Sequence, residues 1–431
     1  MPLLKQTARA VGWPCAAAGA LSSAHLLVLL VAVVRGRKRP APPPGEDLQL
    51  AVVVPAHNEE AQIIGTLRSI EASSYPAANR RIVVVADNCT DRTAAVARAA
   101  GIEVWEREEP HRRGKGYALE WAFSRVLDDP SIEAVCVIDA DCEVSSNLLG
   151  ALAARLRAGA QAVQAPYLIS NPDASPAAAL RWAGFALFNV IRPLGRHRLG
   201  LSSGLLGTGM AFSRSLLLRS PWLAFSYAED REQHLRWVID GARVEFAPEA
   251  QVRSSAPTTA IGAQAQMRRW DSGRGRLATS LTPKLAWHGL RAGDPMALDA
   301  ALEPVLPPQS VLLGINLAAL AAGRIAGART LARVGAGSVL AQAAYVVGGL
   351  GAANAPRSVW RALLTAPRFV VRRVAGLSRS LAAGGPSGWE RTQRDTEATV
   401  ADAPTRSWGG EPAPPGGEAT RVRSRARIGA G

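Results

Sequence analysis

Apolar residues fall along this chain in three rhythms, and each predicts a different kind of element. Residues 50–55 (LAVVVP), 81–86 (RIVVVA) and 134–139 (AVCVID) are short continuous runs rich in β-branched side chains, the pattern of parallel strands covered on both faces. Residues 102–105 predict a shorter strand. The second rhythm is helical. Residues 59–73 place Ile63, Ile64, Leu67 and Ile70 at helical spacing, residues 91–100 predict a helix capped by Thr90 or Asp91, and residues 115–127 and 230–240 predict two more. Strand–helix alternation with short connections predicts an α/β fold, Rossmann-like and doubly wound. Ligands of such sheets bind beyond the carboxyl ends of the strands. Residues 176–193, with Trp182, Phe185 and Phe188 between arginines, predict either an interfacial helix or an amphipathic core helix.

The third rhythm is long runs without formal charge. Residues 10–34 would span roughly 37 Å as a helix at 1.5 Å per residue, enough for a hydrocarbon core of about 30 Å. The run Arg35-Gly-Arg-Lys-Arg39 follows at once. Lys5 and Arg9 also suit a cleaved signal peptide, but a basic cluster directly behind the apolar stretch favours an uncleaved anchor whose C-terminal side is cytosolic. Residues 305–323 and 334–356 are two further uncharged stretches rich in Ala, Gly, Leu and Val. The first carries Pro307 and Pro308 and reads as a span, a re-entrant or interfacial segment, or a buried soluble helix. Arg324, Arg329 and Arg333 lie between the two, against the positive-inside trend for a simple hairpin.

Charge sharpens this plan. The chain has 50 Lys+Arg and 35 Asp+Glu among 431 residues, a formal net charge of +15. Residues 46–303 are nearly neutral, with 28 basic and 29 acidic groups, so the excess flanks the apolar runs. A nucleic-acid partner needs a clustered basic face on the folded domain, and none is expected. No protein partner is inferable. The four cysteines (Cys15, Cys89, Cys136, Cys142) form no C-x-x-C pair, which excludes a zinc ribbon or a disulfide-built domain. The organisation expected is an anchor and Pro-rich linker over 1–45, an α/β domain over 46–303, one or two membrane or interfacial helices over 304–356, and a basic, largely disordered tail over 357–431.

Polar residues gather where the predicted strands end. Asn58, Glu59 and Glu60 follow the first strand, Asp87 the second, and Asp139 and Asp141 the last. Two carboxylates two residues apart as a buried strand runs out suit a hard divalent cation with a diphosphate; the alternative is a solvated turn. Lys115 sits between two glycines in a chain with only four lysines, and a compact ammonium there suits phosphate. The P-loop pattern is absent. Glu229 and Asp230 open a predicted helix, where acidic residues are favourable in any case. Gln266, Arg269 and Trp270 share one helix face, suited to a sugar ring and a diphosphate or simply to a solvated stripe with one buried Trp.

Taken in order, VPAHNEE (54–60), Asp87 in ADNCTD, the lysine of GKG, DAD (139–141), GTG (207–209), AED (228–230) and QMRRW (266–270) make the chain resemble the membrane-bound family-2 glycosyltransferases. That group includes cellulose-synthase-like and ceramide-glucosyltransferase-like enzymes with a GT-A catalytic fold. The resemblance covers residues 50–276. It implies that Pro55, Glu60, Asp87, Lys115, Gln266, Arg269 and Trp270 bind a nucleotide-sugar donor, with Asp87 against the base and Lys115 near the diphosphate. It implies that Asp139 and Asp141 hold Mg²⁺ or Mn²⁺, that Asp230 is the general base, and that Gly207, Thr208, Gly209, Glu229 and Trp270 border a lipid-linked or carbohydrate acceptor. Cys142 reads as a packing residue. The expected protein is an inverting, metal-dependent hexosyltransferase, multi-pass in the inner membrane among its lipids, with its catalytic domain in the cytoplasm. The alternative is a membrane-anchored scaffold that binds nucleotide sugar without turnover. Polymer-making relatives carry more membrane helices, so single transfer is at least as well supported as export.

Overall fold

The structure, a computed structural model, is described for residues 2–37, 39–256 and 272–367. Among the described residues ten strands are formed: β1 Leu50–Ala56, β2 Arg80–Asp87, β3 Glu103–Arg107, β4 Ala134–Val137, β5 Cys142–Val144, β6 Ala162–Gln164, β7 Tyr167–Ile169, β8 Met210–Ser213, β9 Val244–Phe246 and β10 Val252–Ser254. Seven of them make one sheet in the order β3-β2-β1-β4-β8-β6-β9, and β5-β10-β7 make a second, smaller one. β1, β2, β3 and β4 pair in parallel, as the continuous Val-rich runs of β1, β2 and β4 predict. The expectation of a doubly wound sheet needs one amendment, because β8 runs antiparallel to both β4 and β6.

Both faces of the sheet are covered. Val52, Val54, Val84 and Cys136 pack with Leu67, Ile70 and Leu152 on one side. Val53, Val85 and Val135 pack on the other with Leu119, Phe123, Phe212, Trp222 and Trp237. The helix expected over 59–73 runs only Ile63–Glu71. Residues 59–62 are held in a turn instead, with Glu59 N donating to Thr93 Oγ1 at 2.8 Å and Glu60 N to Asp91 Oδ2 at 3.1 Å. Asp91 is not the N-cap of the next helix, which starts at Thr93, yet its Oδ1 accepts the Thr93 N–H at 2.9 Å.

Three long helices, Pro2–Arg35, Gln309–Ile325 and Arg329–Ala352, pack against one another. The first and third are long and apolar enough to cross a membrane. The second begins after Pro307 and Pro308, and the third starts at Arg329 rather than 334. Arg324, Arg329 and Arg333 therefore belong to helix ends, and only residues 326–328 join the two. Close contact follows from small side chains: a Cβ on Gly323 would lie 2.3 Å from Ala332 N, and one on Gly335 would lie 2.5 Å from Leu320 N. A buried polar knot ties the three together. Asn316 Nδ2 donates to Ser23 Oγ at 3.2 Å and to Gln342 Oε1 at 3.0 Å, and Gln342 Nε2 donates to the Gln309 carbonyl at 2.7 Å.

The segment from residue 176 is helical to 199, as Pro176–Phe185, a wide π-type turn over Ala186–Ile191, and Arg192–Leu199. Trp182 and Phe185 are buried with Leu26 and Tyr345, so this is the packed alternative of the two readings. It joins the long helices to the sheet.

Candidate active site

Two asparagines shape the carboxyl edge of the sheet. Asn58 and Asn88 follow β1 and β2 with φ of 57° and 49°, a left-handed backbone that Asn tolerates better than most residues. The Asn58 Oδ1 accepts the Thr90 N–H at 2.7 Å and its Nδ2 donates to Thr90 Oγ1 at 3.1 Å, so the loops after the first two strands are one unit. Asn88 Oδ1 accepts the Glu109 N–H at 2.9 Å. The Asp87 carboxylate is buried here, with Oδ1 taking Arg107 Nη1 at 2.5 Å and Asn88 Nδ2 at 2.8 Å. Burial raises its pKa, outweighing the Arg107 guanidinium that lowers it.

β4 ends at Val137, so Asp139 and Asp141 lie just past the strand rather than within it. The Asp139 N–H donates to Thr208 Oγ1 at 3.1 Å. Lys115, first residue of the helix Lys115–Leu127, donates its ammonium to Asp139 Oδ1 and, at 2.7 Å, to the Gly207 carbonyl; Glu229 is 4.0 Å away. Burial alone would lower the Lys115 pKa, but Asp139, Glu229 and Asp230 outweigh it and raise it. The same helix sits hard against residues 224–225, since a Cβ on Gly116 would be 2.1 Å from the Ala224 carbonyl oxygen.

The loop 206–209 is hung on one buried amide. Gln164 Nε2 donates to the Thr208 carbonyl at 2.8 Å and the Ala165 carbonyl at 2.7 Å, while its Oε1 accepts the Leu206 N–H at 2.9 Å. Gly207, at φ 87°, takes a backbone that favours glycine, and a Cβ there would be 3.5 Å from Lys115 Nζ and 3.6 Å from Asp230 Oδ2. The ammonium and the Asp230 carboxylate thus meet across Gly207.

Asp230 and Glu229 begin the helix Glu229–Ile239, fixed to the sheet by Trp237, whose ring is 4.9 Å from Phe212 and 6.0 Å from Trp222. Burial raises the Glu229 pKa to about 7, aided by the Asp230 charge and opposed by Lys115. Burial raises Asp230 as well, against Arg231 and Lys115.

Lys115, Asp139, Gly207, Thr208, Glu229 and Asp230, which the sequence places on four separate segments, are thus one cluster. Asp141, Oδ1 3.4 Å from Cys142 Sγ, adjoins it, and Asp139, Asp141 and Cys142 offer donor atoms within 4.8 Å of one another. Two convergent carboxylates, one of which already carries the Lys115 ammonium, fit a hard divalent cation. Cys142 is 1% exposed and belongs to the core, so the packing role expected for it stands. Glu60 is turned to structure: its Oε2 accepts the Arg92 N–H at 3.0 Å at the start of the helix Thr93–Ala99. Pro55 is in β1, opposite Val85, and Gly209 leads into β8. Gln266, Arg269 and Trp270 lie outside the described residues. Sequence reasoning missed Arg107 and Gln164; a buried strand ending in an amide, AVQ, was the available signal for the second.

Comparison with known proteins supplies the family. Residues 44–273, just over half of the chain, match the glycosyltransferase-like family 2, and the chain belongs to that family. A probable glycosyltransferase of Bacillus subtilis is 28% identical over 236 residues, covering 52% of this chain and 55% of that one. A beta-monoglucosyldiacylglycerol synthase of Nostoc is 26% identical over 231 residues, covering 52% and 48%. The chain spans about half the length of these relatives. A mannosyltransferase of Pyrobaculum calidifontis, solved with GDP-Man and Mn²⁺, superposes with a TM-score of 0.49 at 21% identity over 80% of this chain and 97% of that one.

Proposed function

We propose that this chain is an inverting glycosyltransferase that moves a sugar from a nucleotide sugar, a UDP-sugar in our reading, to a hydroxyl of a lipid or polysaccharide acceptor. The observation that carries the reading is the cluster of Lys115, Asp139 and Asp230 around Gly207. It pairs a cationic side, suited to a departing diphosphate, with a buried carboxylate suited to an attacking hydroxyl. Asp230 takes the acceptor proton as its oxygen attacks the anomeric carbon. Lys115 neutralises charge that develops on the leaving nucleotide. Asp139 and Asp141 would hold Mg²⁺ or Mn²⁺, which supplies further charge neutralisation when bound. Asp87, pinned by Arg107, stands at the edge that would meet the base, and Glu229, Thr208 and Gly209 border the acceptor side. One base facing one leaving group implies a single displacement, hence inversion.

The two long apolar helices and the glucosyldiacylglycerol synthase relative support a membrane-bound enzyme that acts on a lipid. On this reading residues 46–303 are the catalytic unit on the cytosolic face of the inner membrane. Residues 1–45 and 304–356 anchor it there, the basic tail follows the helix Arg357–Leu363, which buries Val359 and Ala362, and Gln266, Arg269 and Trp270 complete the donor site.

The test is transfer and donor hydrolysis by the full-length protein over a panel of UDP- and GDP-sugars, with diacylglycerol vesicles as acceptor, with and without EDTA. Turnover lost with EDTA and with Asp141→Ala is expected. Nucleotide-sugar binding with no turnover on any donor would replace this reading with that of a binding scaffold.

A further inference from the structure

The helix that carries Asp230 is joined to the N-terminal helix Pro2–Arg35 through a buried ion cluster. Arg196 is 1% exposed and lies between two carboxylates: its Nε donates to Asp299 Oδ2 at 2.7 Å and its Nη1 to Glu303 Oε2. Asp299 Oδ1 is 3.4 Å from His25 Nε2, on the N-terminal helix. The short helix Arg192–Leu199 that bears Arg196 touches the same long helix twice more. A Cβ on Gly195 would be 2.6 Å from the Leu29 carbonyl oxygen, and Arg198 donates to the Val33 carbonyl near the end of that helix.

The other side of the cluster faces the reaction centre. The helix Pro295–Leu302, which bears Asp299, packs Ala297, Ala300 and Ala301 against Leu235 and Val238 of the Asp230 helix. Glu303, Arg196, Arg231 and His234 line one small cavity with Gly204 and Leu206, just ahead of the Gly207 loop. Arg231, next to Asp230 in the chain, stacks on Phe188 at 4.7 Å, and Arg192 stacks on the same ring at 4.7 Å. Burial raises the Glu303 pKa, but Arg196, Arg192, Arg231 and His234 outweigh it and hold the carboxyl at about 2.

A buried ion cluster of this kind is a costly way to gain stability, and apolar packing of the same volume often does as well. Its gain is directional: Arg forks onto two carboxylates in one geometry only. We propose that Arg196 is a positioning residue for the acceptor step, fixing Asp230 relative to the N-terminal helix so that the base is in register with an acceptor held at the membrane surface. The proposal rests on the function proposed above. Donor binding, which depends on β1, β2 and β4, is not routed through Arg196.

The experiment compares full-length wild type with Arg196→Met, Arg196→Lys and His25→Phe in phosphatidylglycerol vesicles containing diacylglycerol, with UDP-glucose as donor. Arg196→Met is expected to lower transfer kcat at least twentyfold, with donor KM and UDP-glucose hydrolysis by water within twofold. Arg196→Lys, which keeps the charge but not the fork, should recover only a small part of the loss. His25→Phe, at the far end of the chain of contacts, should lower kcat threefold or more. A second readout needs no substrate: amide exchange over residues 229–239 should quicken at least tenfold in Arg196→Met and in His25→Phe, with residues 52–54 unchanged. Unaltered exchange at 229–239 overturns the proposal, as does a donor KM that rises in step with the fall in kcat. Should Arg196→Met not fold, His25→Phe decides on the same measurements. A wild type that turns over no donor sinks the enzyme reading, and the exchange result still decides the coupling.

Discussion

Lys115 donates its ammonium to the Gly207 carbonyl at 2.7 Å, across 92 residues of sequence. One side chain thereby closes the Asp139 carboxylate onto the loop beside Asp230. Lys115→Met should leave three buried or half-buried carboxylates without their common counter-ion. We expect UDP binding to weaken at least tenfold, equivalent to about 1.4 kcal/mol, and turnover to fall further. Isothermal titration with UDP checks this; unchanged affinity would move Lys115 out of the donor site.

The acid pair sets a pH dependence. Glu229 is raised to about 7 and Asp230 is raised as well, so the folded pair keeps a proton where isolated carboxyls have lost it. Transfer should therefore rise with pH along a limb that lies above the ordinary carboxyl range, and Glu229→Gln should shift that limb to lower pH by removing a neighbouring charge. Linkage has a definite sign: the native state binds protons more tightly than the unfolded chain between the ordinary carboxyl range, about 4.3, and about 7. Stability contributed by this pair falls as pH rises across that window. A kcat that is flat from acid to alkaline pH would contradict the assignment of Asp230.

Gln164 supports the loop that Lys115 closes. Gln164→Leu keeps the volume but leaves the Leu206 N–H and the Thr208 carbonyl without their buried partner. A loss of about 1–3 kcal/mol is expected, read as a lowered thermal midpoint, with transfer reduced more than the stability change explains. A neutral substitution would show that the loop holds itself.

Two glycines give a matched pair. Gly116→Ala drives a methyl to within 2.1 Å of the Ala224 carbonyl oxygen, whereas Gly150→Ala, also in a helix, meets nothing within 4 Å. The first should cost about 1–3 kcal/mol by overpacking; the second should gain about 0.5–1 kcal/mol from helix propensity. Equal effects in thermal melts would mean that the helix Lys115–Leu127 does not press on residues 224–225.

The parallel half of the sheet was legible because buried strands demand unbroken apolar runs, and β1, β2 and β4 supply them. β8 was not, since a four-residue strand whose apolar residues are Met, Ala and Phe has too little pattern to show its direction. Asp139, Asp141, Lys115 and Asp230 stood out as candidates, being carboxylates beyond strand ends or at a helix start and a lysine in an arginine-rich chain, and the fold brings them to one place. Arg107 and Gln164 were hidden because each acts through contacts distant in sequence, 20 residues to Asp87 and 44 to Thr208. The three arginines between the late apolar stretches fall inside helices, because helices in this bundle outrun their uncharged cores.

The Asn316 knot has a consequence for biosynthesis. Its bond to Ser23 joins residues separated by 293 positions. At translation rates of about 5–20 residues per second, the N-terminal helix waits on the order of 15–60 s before its polar partner exists. During that interval Ser22 and Ser23 have only their own helix to satisfy them. The N-terminal helix must hold its own structure first, and gains its polar partner only when the helices Gln309–Ile325 and Arg329–Ala352 arrive.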